Sequence, residues 1–231
     1  MNKREDEEPG FIGQVIGCLT SPRTSFKSIL EKPSLLKAAT LILVIAIVAS
    51  WASYNYAGKL PLPSVIERET RRRFLGPGGF VSPEQLQQTL VILNTVTGFI
   101  GVFGGWLISS AIVHALSRAR GRRGTFKSML TLAGYASMPL LIQHVLRLID
   151  SFVITEQGLL QLSGTTRVFN QPLLNAITNA AINVFSVFRL WSVALLVIAL
   201  CENYEISTAR SVVTVAATYI IILFLSMFLP L

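Results

Sequence analysis

Apolar residues in this chain come in long blocks rather than in stripes. Five windows carry almost no charge: Leu35 to Ala57, Thr89 to Leu116, Ser128 to Ile149, Ala176 to Leu200 and Ser211 to Leu231. The segments between them hold nearly all the ionisable groups. The hydrocarbon layer of a bilayer is roughly 30 Å thick and a helix rises about 1.5 Å per residue, so about 20 apolar residues cross it. Buried helices of a water-soluble domain are shorter and keep a polar stripe. The pattern therefore predicts an all-α polytopic membrane protein, a bundle of five transmembrane helices.

Caps mark further elements between the blocks. Ser21 before Pro22 opens a short helix, and Phe26, Ile29 and Leu30 at i, i+3 and i+4 give it an apolar face. This predicts a short amphipathic interfacial helix before the first span, with Arg23 and Lys27 meeting head groups and the apolar face entering the acyl boundary. Ser64 with Glu67 has capping-box spacing and predicts a short helix through Arg73. Ser82, Pro83 and Gln85 predict that the second span begins well outside the membrane. Residues 1–14 read as a polar tail and residues 15–231 as one membrane domain.

Composition fits that assignment, with 52% apolar residues, 14% charged residues and a formal net charge of +8. The opening MNKREDEEPG is acidic and polar, and the first apolar run is long enough to span, so no cleaved signal peptide is expected. Cys18 and Cys201 lack CxxC spacing and neighbouring histidines, so neither a metal, a disulfide nor a cofactor is expected. Charge also votes on orientation. Twelve cations flank one set of span ends: Lys3, Arg4, Arg23, Lys27, Lys32, Lys37, Arg118, Arg120, Arg122, Arg123, Lys127 and Arg210. Six flank the other: Lys59, Arg68, Arg71, Arg72, Arg73 and Arg167. Cationic flanks resist translocation, which predicts a cell-membrane protein with a cytoplasmic N-terminus and an external C-terminus. The run RARGRRGTFK then meets anionic head groups at the inner face, and nucleic acid is not an expected partner.

Several polar residues inside the blocks need an explanation. Arg189 falls near the middle of the fourth window, where an arginine costs about 2.5–3.5 kcal/mol on insertion scales. At 100° per residue Asn175, Asn179, Asn183, Ser186 and Arg189 share one face. Gln143, Arg147 and Asp150, with His144 to one side, make a similar group at the outer end of the third window. Two readings follow. These groups bond across helices and hold the bundle together, or they line a polar cavity for an ion, head group or small solute. Gly98, Gly101 and Gly105, between Asn94 and Ser109, form a small-residue face suited to close packing by another span or by a second copy. The windows contain no HExxH, no GxSxG and no paired intramembrane aspartates, and Ser137 and His144 lie two turns apart on one helix, so an enzyme is not expected.

The third window opens with Gly134-Tyr135-Ala136-Ser137-Met138-Pro139, and this GYxxxP word in the third of five spans resembles the Yip (Ypt/Rab-interacting protein) domain family. So do Ser21-Pro22-Arg23-Thr24-Ser25-Phe26 before the first span and the Gly124-Thr125-Phe126-Lys127 entry to the third. Physically, Gly134 lets a neighbour approach, Tyr135 suits the inner interface, and Pro139 bends the span. The resemblance implies a five-helix bundle with its N-terminus inside and a non-enzymatic role in organising membranes or binding protein and lipid partners, in trafficking or homeostasis. Relatives of this kind in eukaryotes are associated with Rab GTPases. This chain lacks their long N-terminal domain with its DLYGP-like word, so Rab binding is not carried over. The competing expectation is a small-solute or ion transporter built around Arg189.

Overall fold

The computed structural model of the chain describes residues 10–59, 83–119, 124–155 and 186–228. Among the described residues the regular elements are all helical: α1 (Phe11–Thr20), α2 (Pro22–Glu31), α3 (Leu35–Lys59), α4 (Pro83–Arg118), α5 (Phe126–Ala136), α6 (Met138–Val153), α7 (Val187–Tyr204) and α8 (Thr208–Phe228). Five apolar stretches are long enough to cross a membrane: α3, α4 from Gln87, α5 with α6, α7, and α8 through Leu225. The fold class expected from the sequence is thus the one observed.

Local chemistry explains where these helices start and stop. Pro83 opens α4, whose 36 residues extend about 54 Å, well beyond the roughly 30 Å of hydrocarbon. The third span is broken where its proline demands. Ser137 adopts φ −81° and ψ −1°, its N–H bonds the Gly134 carbonyl at 3.2 Å, and the Leu140 N–H bonds the Ser137 carbonyl at 2.9 Å. These tight i→i+3 turns bridge the position where Pro139 offers no N–H and its ring excludes the carbonyl of Tyr135. Thr125 caps α5 by accepting from the Ser128 N–H. Helices α7 and α8 are joined by Glu205, Ile206 and Ser207, with Glu205 in the left-handed region at φ 51°.

The described residues fall into two compact units. The first takes its described residues from the chain up to Ile45, from Val102–Ile142 and from Phe185 onward. In it α7 packs against α5, α8 and α2, and α1 and α2 pair as a hairpin that also touches α5. Gly17 allows the hairpin to close, because a Cβ there would collide with the Ser25 hydroxyl. Trp106 Nε1 donates to the Leu130 carbonyl at 3.0 Å, and Ser192 Oγ donates to the Ala136 carbonyl at 2.8 Å. Each bond of this kind contributes roughly 0.6–2 kcal/mol between membrane helices.

The amphipathic helix before the first span is present as α2, but its apolar face is spent inside the protein. Phe26 and Ile29 are fully buried in the core of this unit, with α5 and α7 as neighbours. The face therefore does not enter the acyl boundary. Helix α1 starts at Phe11, so helical structure begins within the stretch assigned to the polar tail.

The second unit takes its described residues from Ala46–Gly101 and from Gln143 to Thr155. Here the last turns of α3 and α6 are stapled together by side-chain hydrogen bonds, set out below.

Candidate functional site

The GYxxxP word sits at the centre of the first unit. Gly134 faces α3: a Cβ at this position would lie 2.8 Å from the Cβ of Ala38 and 3.3 Å from its Cα. Only glycine permits this approach without moving a backbone. Tyr135 is 1% exposed, so it is a core residue and not an interfacial ring as its position in the sequence suggests. Its hydroxyl donates to Gln14 Oε1 of α1 at 3.0 Å, and Phe11 packs edge-on against its ring at 6.3 Å. Lys37 Nζ of α3 also donates to Gln14 Oε1, at 3.5 Å. Gln14 therefore joins α1 to α3 and α5, with Tyr135 as the buried post. Cys18 lies in the same packed face of α1, and burial pushes its thiol up to about 12, which leaves it protonated and unreactive.

A second cluster lies at the start of α5. His114 Nδ1 and the Tyr204 hydroxyl share a hydrogen bond of 2.6 Å, and the His114 ring lies 5.5 Å from Phe126 and 6.1 Å from Tyr204 between centroids. A Cβ on Gly124 would collide with the Tyr204 ring, which accounts for glycine at the entry to this span. Arg23, Lys27, Lys32, Arg118, Lys127 and Arg210 of the first unit are exposed. Lys27 stands 3.8 Å from Glu202, a solvent-screened pair of little energetic weight. Arg120, Arg122 and Arg123 lie outside the described residues.

The polar residues of the fourth span are not arranged as one helical projection suggests, whereas Arg147 and Asp150 of the third do share a face. Ser186 has extended backbone, φ −63° and ψ 139°, and its hydroxyl accepts from the Arg189 N–H at 3.3 Å as an N-cap. Helix α7 therefore begins at Val187 and Arg189 occupies its first turn, not the middle of a continuous span. The phase relation that put Arg189 on a face with Asn175, Asn179 and Asn183 does not carry through Ser186. Those three asparagines lie outside the described residues. In the second unit Asp150 and Arg147 both turn to α3. The Tyr56 hydroxyl donates to Asp150 Oδ2 at 2.5 Å, and the Arg147 guanidinium lies over the Tyr56 ring at 5.9 Å. Lys59 Nζ donates to the carbonyls of Ser151 and Ile154, each at 2.8 Å, and so caps the end of α6. Asn55 Nδ2 donates to Ser151 Oγ at 3.1 Å. Gln143 and His144 sit one turn before this staple on α6.

The small-residue face of α4 takes no close neighbour among the described residues. A Cβ at Gly98, Gly101 or Gly105 would meet nothing within 4 Å. The close glycine contact between spans is made by Gly134 instead.

Comparison with known proteins now decides the family. The Yip1 domain model matches residues 16–229. The chain belongs to the Yip1 family. It is a multi-pass membrane protein, and the GYxxxP, Ser-Pro and Gly-Thr-Phe-Lys words all fall within the matched region. An uncharacterised protein of Methanocaldococcus jannaschii is similar, 27% identical over 150 residues that cover 63% of this chain and 94% of that protein. No solved structure matches the chain.

Several residues of these two clusters escape a reading by motif. Gln14 is the one strongly polar side chain with an amide in an otherwise uncharged decapeptide, which is the signal that could have found it. Lys37, Ala38, His114 and Tyr204 carry no local signature, because their partners lie far away along the chain.

Proposed function

We propose that this Yip1-family protein is a non-enzymatic organising module whose basic end binds anionic head groups and, through them or beside them, protein partners. The observation that carries the reading is the exposure of Arg23, Lys27, Lys32, Arg118, Lys127 and Arg210 around a rigidly packed core. A packed unit that presents several exposed cations suits recognition of an anionic surface. The excess of cations at these span ends assigns them to the cytoplasmic side, with the N-terminus inside and the C-terminus outside. Solute transport around Arg189 is the less favoured reading, since that residue lies in the first turn of α7, its N–H bonded to the Ser186 cap, and Arg147 and Asp150 are committed to Tyr56.

The test is replacement of Arg118, Arg120, Arg122, Arg123 and Lys127 by glutamine in the full chain. Lipids retained on purification and binding to nanodiscs of graded anionic content are then measured. The preference for anionic lipid falls several-fold; an unchanged preference overturns the proposal. Crosslinked species in the same preparation report whether a second copy covers the face of Gly98, Gly101 and Gly105.

A further inference from the structure

We infer that α1 is a lipid-inserted element whose exposed side, Ile12 and Ile16, contacts acyl chains of the leaflet at the basic end. Helix α1 contains no charged residue. Phe11, Val15, Cys18 and Leu19 pack inward, and Gly17 meets α2. The remaining arc carries Ile12 at 72% exposure and Ile16 at 55%, one turn apart, with Gly13 and with Thr20, whose hydroxyl donates to the Ile16 carbonyl at 3.2 Å. A helix lying on a protein surface in water keeps charged or strongly polar groups on that arc. The companion helix α2 does so, with Arg23, Thr24, Lys27 and Glu31 exposed. The two helices of one hairpin thus present opposite chemistry outward.

The position of α1 agrees with its composition. Gln14 and Phe11 hold Tyr135, which lies nine residues past Phe126 and so about 14 Å along the third span. The Phe11 end of α1 therefore lies beside a membrane-crossing helix. Interfacial helices bury their apolar side about 5–10 Å into the head-group and acyl boundary, and a tether about 14 Å along the span is long enough to hold the Phe11 end at such a depth. Ten residues span about 15 Å, half the hydrocarbon thickness, so α1 enters one leaflet and does not cross. A second copy of the chain is the poorer occupant. Two isoleucines offer far less than the ~800 Å² per partner of a stable interface.

This deepens the proposed function by naming the element that meets acyl chains, and a depth measurement tests it separately from head-group preference. In a Cys201→Ser background, Ile12→Cys, Ile16→Cys and Thr24→Cys are labelled with bimane and the full chain is reconstituted in vesicles. Cys18, fully buried in the core, stays unlabelled. Lipids brominated on the acyl chain quench the labels at 12 and 16 at least twofold more than the label at 24, and aqueous iodide shows the reverse order. Equal iodide access at 12, 16 and 24 overturns the inference, as does protection from both quenchers with crosslinking between copies. The unsubstituted chain supplies a second measurement. A photoreactive acyl-chain lipid forms adducts within residues 11–20, and adducts confined to the long spans also overturn the inference. Loss of anionic preference in the glutamine variant leaves these results untouched, so the two proposals can fail apart.

Discussion

Gly134 and the run Gly98, Gly101 and Gly105 are the same residue type in neighbouring spans, yet they do opposite things. At Gly134 the Ala38 methyl group and the backbone behind it fill the space a side chain would need; along α4 that space is open among the described residues. Small residues at helical spacing permit close approach but do not supply the neighbour. What distinguishes the two places is the surroundings. Gly134 is followed by an aromatic post bonded to α1 and by a proline-directed break, so several independent contacts hold α3 and α1 against it.

The largest effect in this contrast falls on the post itself. Tyr135→Ala removes a fully buried ring together with its bond to Gln14, and large-to-small changes of this kind cost about 3–5 kcal/mol. The folded fraction in detergent, followed by size-exclusion recovery after heating, drops sharply. Next comes Gly134→Leu, which drives a side chain into Ala38. Overpacking costs about 1–3 kcal/mol, so Tm falls, and a companion Gly134→Ala variant falls less. An unchanged Tm for Gly134→Leu would erase the difference between the two glycine sites. Tyr135→Phe keeps the packing and loses only the hydroxyl, for roughly 0.6–2 kcal/mol, and a Gln14→Leu variant combined with it adds little beyond either alone. The smallest change belongs to Gly101→Ala. With open space for the methyl group and better helix propensity, stability in detergent stays level or rises by about 0.5–1 kcal/mol. A fall, accompanied by loss of a crosslinked dimer, would show that a second copy covers this face and would sharpen the contrast into intramolecular against intermolecular packing.

Much of this was legible in the sequence because hydrocarbon thickness imposes a length on every span. The five spans, the helix after Ser21, the long α4 from Pro83 and the bend at Pro139 all follow from residue counts and caps. Two departures trace to the window over which hydropathy is read. Hydropathy averages over a window, and a cap such as Ser186 is a single residue with no effect on that average. The projection therefore ran a helical face through a position where the helix starts. Helix α1 was missed for the converse reason, since ten apolar residues fall short of the length that signals a span. The site residues split along similar lines. Gly134, Tyr135 and Pro139 stand next to one another in a recognisable word. Gln14, Lys37, His114 and Tyr204 meet only after folding, over separations that no periodicity encodes.

Three residues, Glu205, Ile206 and Ser207, are all that part α7 from α8, and at full extension they reach only about 10 Å. So short a tether keeps the facing ends of the two helices together, so that a change displacing one end draws the other with it.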